Sequence, residues 1–141
     1  MAVEGFSVEV DGDPERVDAG LRPESAEATV VTVAGDVDLA AADTLWSVLD
    51  EYVRPGAAVV VDCSKVAFLD SMGLRTLIRA QQKADASGAR LTLAAPSEAV
   101  MRVLQLAGVS DLFTLDPALP RWRRLLDSLD SPVPSRAALS H

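Results

Sequence analysis

Val59 to Ile78 reads VVVDCSKVAFLDSMGLRTLI, and this stretch decides the fold. The residues from Ala57 to Cys63 are apolar enough for a strand buried on both faces, as central parallel strands are. A loop then leads to Asp70-Ser71-Met72-Gly73-Leu74, which opens an amphipathic helix. Leu74, Leu77, Ile78 and Gln81 share one stripe of it, Arg75, Arg79, Gln82 and Lys83 fall largely elsewhere, and Ser87-Gly88 ends it. Because a helix N-terminus leaves N–H groups unpaired and carries partial positive charge, Ser71 has two readings: a plain cap, or a hydroxyl placed to carry phosphate.

Working towards the N-terminus, Asp36 and Asp38 stand in a Gly35-Asp36-Val37-Asp38 turn that breaks a strand expected at Thr29 to Ala34. Leu45, Val48, Leu49 and Tyr52 then recur at helical spacing until Pro55-Gly56 stops them. Phe6, Val8 and Val10 alternate with Ser7 and Glu9, the period-2 signature of a strand with one buried face. Residues 11–28 are rich in Asp, Glu, Pro and Gly and read as a long acidic loop.

Towards the C-terminus, Arg90 to Ala94 reads as a strand. Ser97-Glu98 starts a third helix with Val100, Val103, Leu104 and Ala107 inward and Gly108 as terminator. Leu112 to Leu115 adds a short edge strand, and Asp116-Pro117 opens a fourth helix whose buried stripe is Trp122, Leu125, Leu126 and Leu129. Arg121, Arg123 and Arg124 form its solvated face, and residues 131–141 read as a disordered tail. Strands alternating with helices predict one α/β domain over residues 1–130, a mixed sheet of four to five strands covered by about four helices. In such sheets binding functions collect at the carboxyl ends of strands, which is where Gly35–Asp38 and Phe68–Gly73 both fall.

Composition narrows the function. A formal charge of −8 argues against nucleic acid, whose recognition needs clustered Lys and Arg. No apolar run approaches the roughly 18 residues of a membrane span, and Met1-Ala2-Val3-Glu4 lacks a basic leader, so the expected setting is the cytoplasm, with no membrane partner. The single cysteine, Cys63, ends an apolar strand and reads as an inert core thiol. A serine-hydrolase elbow fails at Ser71, because Leu69 stands where a glycine is needed and the only histidine is His141 in the tail. One Cys and one His leave no convincing metal set, isolated glycines give no phosphate-cradling loop, and the expectation is a non-enzyme without cofactor or metal. Trp46 lies beside the apolar stripe of the first helix, available either for packing or for a partner.

Taken in order, these features resemble the STAS domain of bacterial anti-sigma factor antagonists. The resemblance runs from Thr29 to Asp130 through the Gly-acidic-apolar-Asp turn, the strand VVVDCSKVAFLD, the Asp-Ser-x-Gly-Leu helix start and PSEAVMRVLQLAGVSDLF at Pro96 to Phe113. It implies that Ser71 is phosphorylated by a serine kinase that is also the anti-sigma factor, that a serine phosphatase restores the hydroxyl, and that phosphorylation is an off switch. It also implies a partner surface at Asp36, Asp38, Asp70, Ser71, Met72, Gly73 and Arg75. Met72 departs from the second hydroxyl residue usual in the family, and the acidic segment departs from the family's compact hairpin. A STAS scaffold with an unused serine, in a stress-signalling or lipid-transport complex, is the alternative.

Overall fold

Valine-rich segments pair in chain order in the structure, a computed structural model that describes residues 2–3, 5–11 and 28–117. The strands are β1 (Ala2–Val3), β2 (Phe6–Asp11), β3 (Ala28–Val37), β4 (Ala58–Leu69), β5 (Arg90–Ala94) and β6 (Thr114–Asp116). They lie side by side in the order β1-β2-β3-β4-β5-β6, antiparallel from β1 to β3 and parallel from β3 to β6. Parallel neighbours require a crossover, and three helices supply them: α1 (Leu39–Tyr52), α2 (Ser71–Ser87) and α3 (Glu98–Ala107). The expected mixed sheet under helices is therefore present, with the two-residue β1 as an added edge. The expected fourth helix with Trp122, its three arginines, most of the acidic loop and the tail lie outside the described residues.

One face of the sheet and all three helices build a single core. Val31, Val33, Val59, Val61, Cys63, Leu91 and Leu93 meet Leu45 and Leu49 of α1, Leu77 and Ala80 of α2, and Val100 and Leu104 of α3. Each fully buried leucine contributes on the order of 1.5–3 kcal/mol. On the opposite face Val30, Thr32, Asp62 and Ala94 are also buried while Ala58 and Val60 are half-buried, so the apolar run at the start of β4 is covered fully on one face and in part on the other. Helix patterns needed small corrections. Ile78, Gln81 and Val103 are only half-buried and Ala107 is exposed, while Gly73, Thr76, Ala80 and Ala84 complete the inner face of α2.

Two of the boundaries that differ from the sequence reading concern the end of the sheet that positions Ser71. The Gly35 turn does not break its strand: β3 continues to Val37, with Gly35 at φ +91 absorbing an irregularity that a side chain would resist. The segment from Ser64 to Leu69 is not a loop but the second half of β4. Register explains why it escaped notice. Thr32 pairs with Asp62 and Ala34 with Lys65, then Gly35 with Val66 and Asp36 with Phe68, so β4 holds an extra residue at each shift. Such bulges interrupt the alternation of inward and outward side chains on which pattern reading depends. Buried Asp62 braces the first bulge, its Oδ1 accepting from Ser64 N at 2.9 Å and Ser64 Oγ at 2.7 Å. Ser97 braces the same stretch from α3, accepting from Val100 N and donating to Val66 O at 2.7 Å. The short edge strand starts two residues later than expected and ends one later, after a single turn of 3-10 helix at Ser110–Leu112.

Candidate functional site

The two segments expected at the carboxyl ends of strands are brought together. Asp36 and Val37 pair in register with Phe68 and Leu69, and Asp70 N donates to Val37 O at 3.1 Å. Each strand then passes directly into a helix through an aspartate cap. Asp38 Oδ1 accepts from Ala41 N at 3.2 Å to start α1. Asp70 Oδ1 accepts from both Met72 N and Gly73 N at 2.9 Å to start α2.

That second cap answers the question posed by Ser71. Asp70 is the N-cap, and Ser71 is the first residue of the helix itself, exposed, with no hydrogen bond to its hydroxyl among the described residues. The capping reading of Ser71 is thus corrected: the neighbouring carboxylate does that work. Gly73 holds the turn in place. A Cβ there would stand 2.5 Å from Val37 O and 2.7 Å from both Leu69 Cδ1 and Val37 Cγ1, so only glycine lets the first turn of α2 lie against the end of β3.

Around the hydroxyl the surface is mixed. Asp36 is exposed, with its backbone N–H donating to Gly5 O at 2.7 Å, whereas Asp38 and Asp70 are half-buried by capping. Met72 is half-buried and lines a groove of about 410 Å³ between α1 and α2. Arg75 and Arg79 form the α2 wall of this groove, and Trp46 and Asp43 the α1 wall, with the Arg79 guanidinium 3.9 Å from the Trp46 ring centroid. Trp46 is therefore packed by a cation rather than idle.

Two exposed apolar side chains were missed by the sequence reading, Phe68 at 50% and Leu39 at 68% relative exposure. Phe68 immediately precedes Leu69-Asp70-Ser71, and Leu39 is the first residue of α1, so both belong to the same end of the sheet as Ser71. The available signal was Phe68 on a segment next to polar Ser64 and Lys65, but without the bulges its direction was not readable. Cys63 lies under this end as an inert thiol. Burial first and the adjacent Asp62 charge second push its pKa up to about 12. Unfolded, a thiol ionises near pH ~8.5, so this group's contribution to stability is whole below that pH and is lost as pH rises towards 12. Thiol reagents at pH 8 are expected to label Cys63 only in denaturant, which labelling with and without urea would check. Among the described residues no cluster of His, Cys, Asp and Glu is arranged to hold a metal, and no helix is long and apolar enough to cross a membrane.

This architecture and helix start define a STAS domain. The chain belongs to the STAS family: the family model described as "Mlab, STAS domain" matches residues 21–116. In sequence it is similar to the anti-sigma-B factor antagonist of Listeria monocytogenes, 27% identical over 86 residues that cover 60% of this chain and 75% of that protein. In structure it is similar to an anti-sigma factor antagonist from Mycobacterium paratuberculosis, with a TM-score of 0.62, 25% identity, and 92% of this chain and 98% of that chain covered. The fold is also that of the Bacillus cell fate determinant SpoIIAA in its phosphorylated form, with a TM-score of 0.53 and 19% identity over 73% of this chain and 91% of that one.

Proposed function

We propose that this chain is a cytoplasmic, non-enzymatic anti-sigma factor antagonist: unmodified, it binds a serine-kinase anti-sigma factor and frees the sigma factor, and phosphorylation of Ser71 switches it off. One observation carries the reading. The Ser71 hydroxyl is exposed on the first turn of α2 while Asp70 does the capping, so the hydroxyl has no structural task among the described residues. Similarity to anti-sigma factor antagonists supports it, as does a phosphorylated protein of this fold.

Physical chemistry gives the switch its sign. Phe68 and Leu39 offer apolar area for a partner to cover, and Asp36 offers a carboxylate for a basic one. The γ-phosphoryl group of the partner's ATP passes to the Ser71 oxygen as the β–γ anhydride bond breaks, ADP leaves, the hydroxyl proton is released, and the surface gains about −1.5 to −2 charges at pH 7. Placed beside Asp36, Asp38 and Asp70 in an interface that excludes water, that charge opposes docking. A loss of a few kcal/mol corresponds to roughly a hundredfold in affinity. No rearrangement of the backbone is needed, and a phosphatase would reverse the switch by hydrolysing the ester.

Immobilised wild-type chain should retain a kinase that Ser71→Ala also retains and Ser71→Asp loses. Incubation of that kinase with ATP and the chain should place phosphate on Ser71 in a mass-spectrometric map. A complex indifferent to both substitutions would instead mark a scaffold with an unused serine.

A further inference from the structure

The helix start offers a phosphate on Ser71 few of the partners such a group ordinarily finds there. Phosphates at helix N-termini are held by the first free backbone N–H groups, but the N–H groups of Met72 and Gly73 are already bound to Asp70 Oδ1 at 2.9 Å each, and only that of Ser71 itself is left. The adjoining carboxylate of Asp70, and those of Asp36 and Asp38 at the same end of the sheet, repel it. A cation must come from elsewhere. On α2, Lys83 is paired with Asp50 at the far end, and Arg79 lies on the Trp46 ring. Arg75 is exposed, has no hydrogen bond or ion pair among the described residues, and stands one turn after Ser71.

Residues i and i+4 on a helix are neighbours about 5–6 Å apart at Cβ, and an anion placed N-terminal to its cation is the favoured order. Ser71 and Arg75 satisfy both conditions, and the guanidinium fork suits a phosphate dianion. Arg75 also lines the α1–α2 groove, which is continuous with the Ser71 surface through Met72. We propose that phosphorylated Ser71 captures Arg75 in an intrahelical ion pair, withdrawing from the groove wall the cation that, in the unmodified chain, receives a carboxylate of the anti-sigma partner. The docked segment is acidic with an apolar neighbour, which matches a groove whose α2 wall carries Arg75 and Arg79 and whose lining includes the apolar side chains of Trp46 and Met72. Asp43, on the opposite wall, keeps that carboxylate on the α2 side. The partner half of this proposal rests on the function proposed above; the ion pair does not.

The test incorporates phosphoserine at position 71 of the full chain, in the wild-type background and with Arg75→Gln and Arg75→Lys, and titrates the phosphate by phosphorus NMR. The second phosphate pKa is expected about 0.5 unit or more lower in wild type than in Arg75→Gln, with Arg75→Lys between them and the gap closing at 1 M salt. Equal values in the three backgrounds overturn the ion pair. With the kinase retained by the unmodified chain as probe, Arg75→Gln should weaken binding about tenfold, and phosphorylation should then cost about tenfold rather than about a hundredfold. If phosphorylation weakens wild type and Arg75→Gln equally, Arg75 is not the sensor although the switch stands. If it weakens neither, the switch falls and this proposal with it.

Discussion

α1 and α2 begin alike and end up serving different purposes. Each follows a strand without an intervening loop, each is capped by an aspartate, and the two starts lie side by side where Asp70 N meets Val37 O. Asp38 accepts a single N–H, from Ala41, and is followed by exposed Leu39. Asp70 accepts two and is followed by exposed Ser71 and by a glycine pressed against the neighbouring strand. The difference teaches that capping and signalling are separable duties. A carboxylate at the cap leaves the next residue with nothing to hold, and at α2 that residue carries a hydroxyl.

The sharpest way to break this comparison is Gly73→Ala. Considered as helix chemistry alone, the change should stabilise by up to about 1 kcal/mol, since alanine is the better helix former. The approach of Val37 O and Leu69 Cδ1 predicts the opposite sign, a loss of about 3 kcal/mol from forced displacement. Thermal unfolding should fall by roughly 10 °C. A Tm unchanged or raised would mean the two helix starts are not locked together.

Next in size come the caps themselves. Asp70→Ala should cost about 1–2 kcal/mol in urea unfolding and Asp38→Ala about 0.5–1 kcal/mol, because two N–H groups lose their acceptor in one case and one in the other. Asp70→Asn should recover most of the loss. Equal costs at the two sites would erase the distinction drawn between them. The smallest expected effect is Ser71→Ala, within about 0.5 kcal/mol of wild type by the same measurement. A cost near 1 kcal/mol would return the hydroxyl to a capping role and weaken the case for a surface kept open for modification.

Much of this could be read from residues in order. Ser97 and Gly108 bound α3, Gly88 ends α2 in the left-handed region, and the strand Arg90–Ala94 is observed as expected, because caps and short apolar runs are local signals. The second half of β4 was not legible. Ser64 and Lys65 look like loop residues, and only pairing with β3 through two bulges makes them strand. With that half went the outward turn of Phe68, and with it the apolar part of the candidate surface. The groove was invisible for a similar reason, since Trp46, Arg75 and Arg79 come from two helices whose contact no single stretch encodes.

What the order of residues determined by itself was the identity of the helix start: Asp, Ser, x, Gly in succession place a capping carboxylate, a hydroxyl and a residue without a side chain within one turn. Which of them caps, why the glycine has no substitute, and what faces the hydroxyl were decided only in three dimensions. Hydrogen-bond geometry let Asp70 reach two N–H groups at once, and parallel pairing with β3 set Val37 against Gly73. Local chemistry is written in neighbours along the chain, whereas close approach between strands and helices depends on registers that residues far apart must settle together.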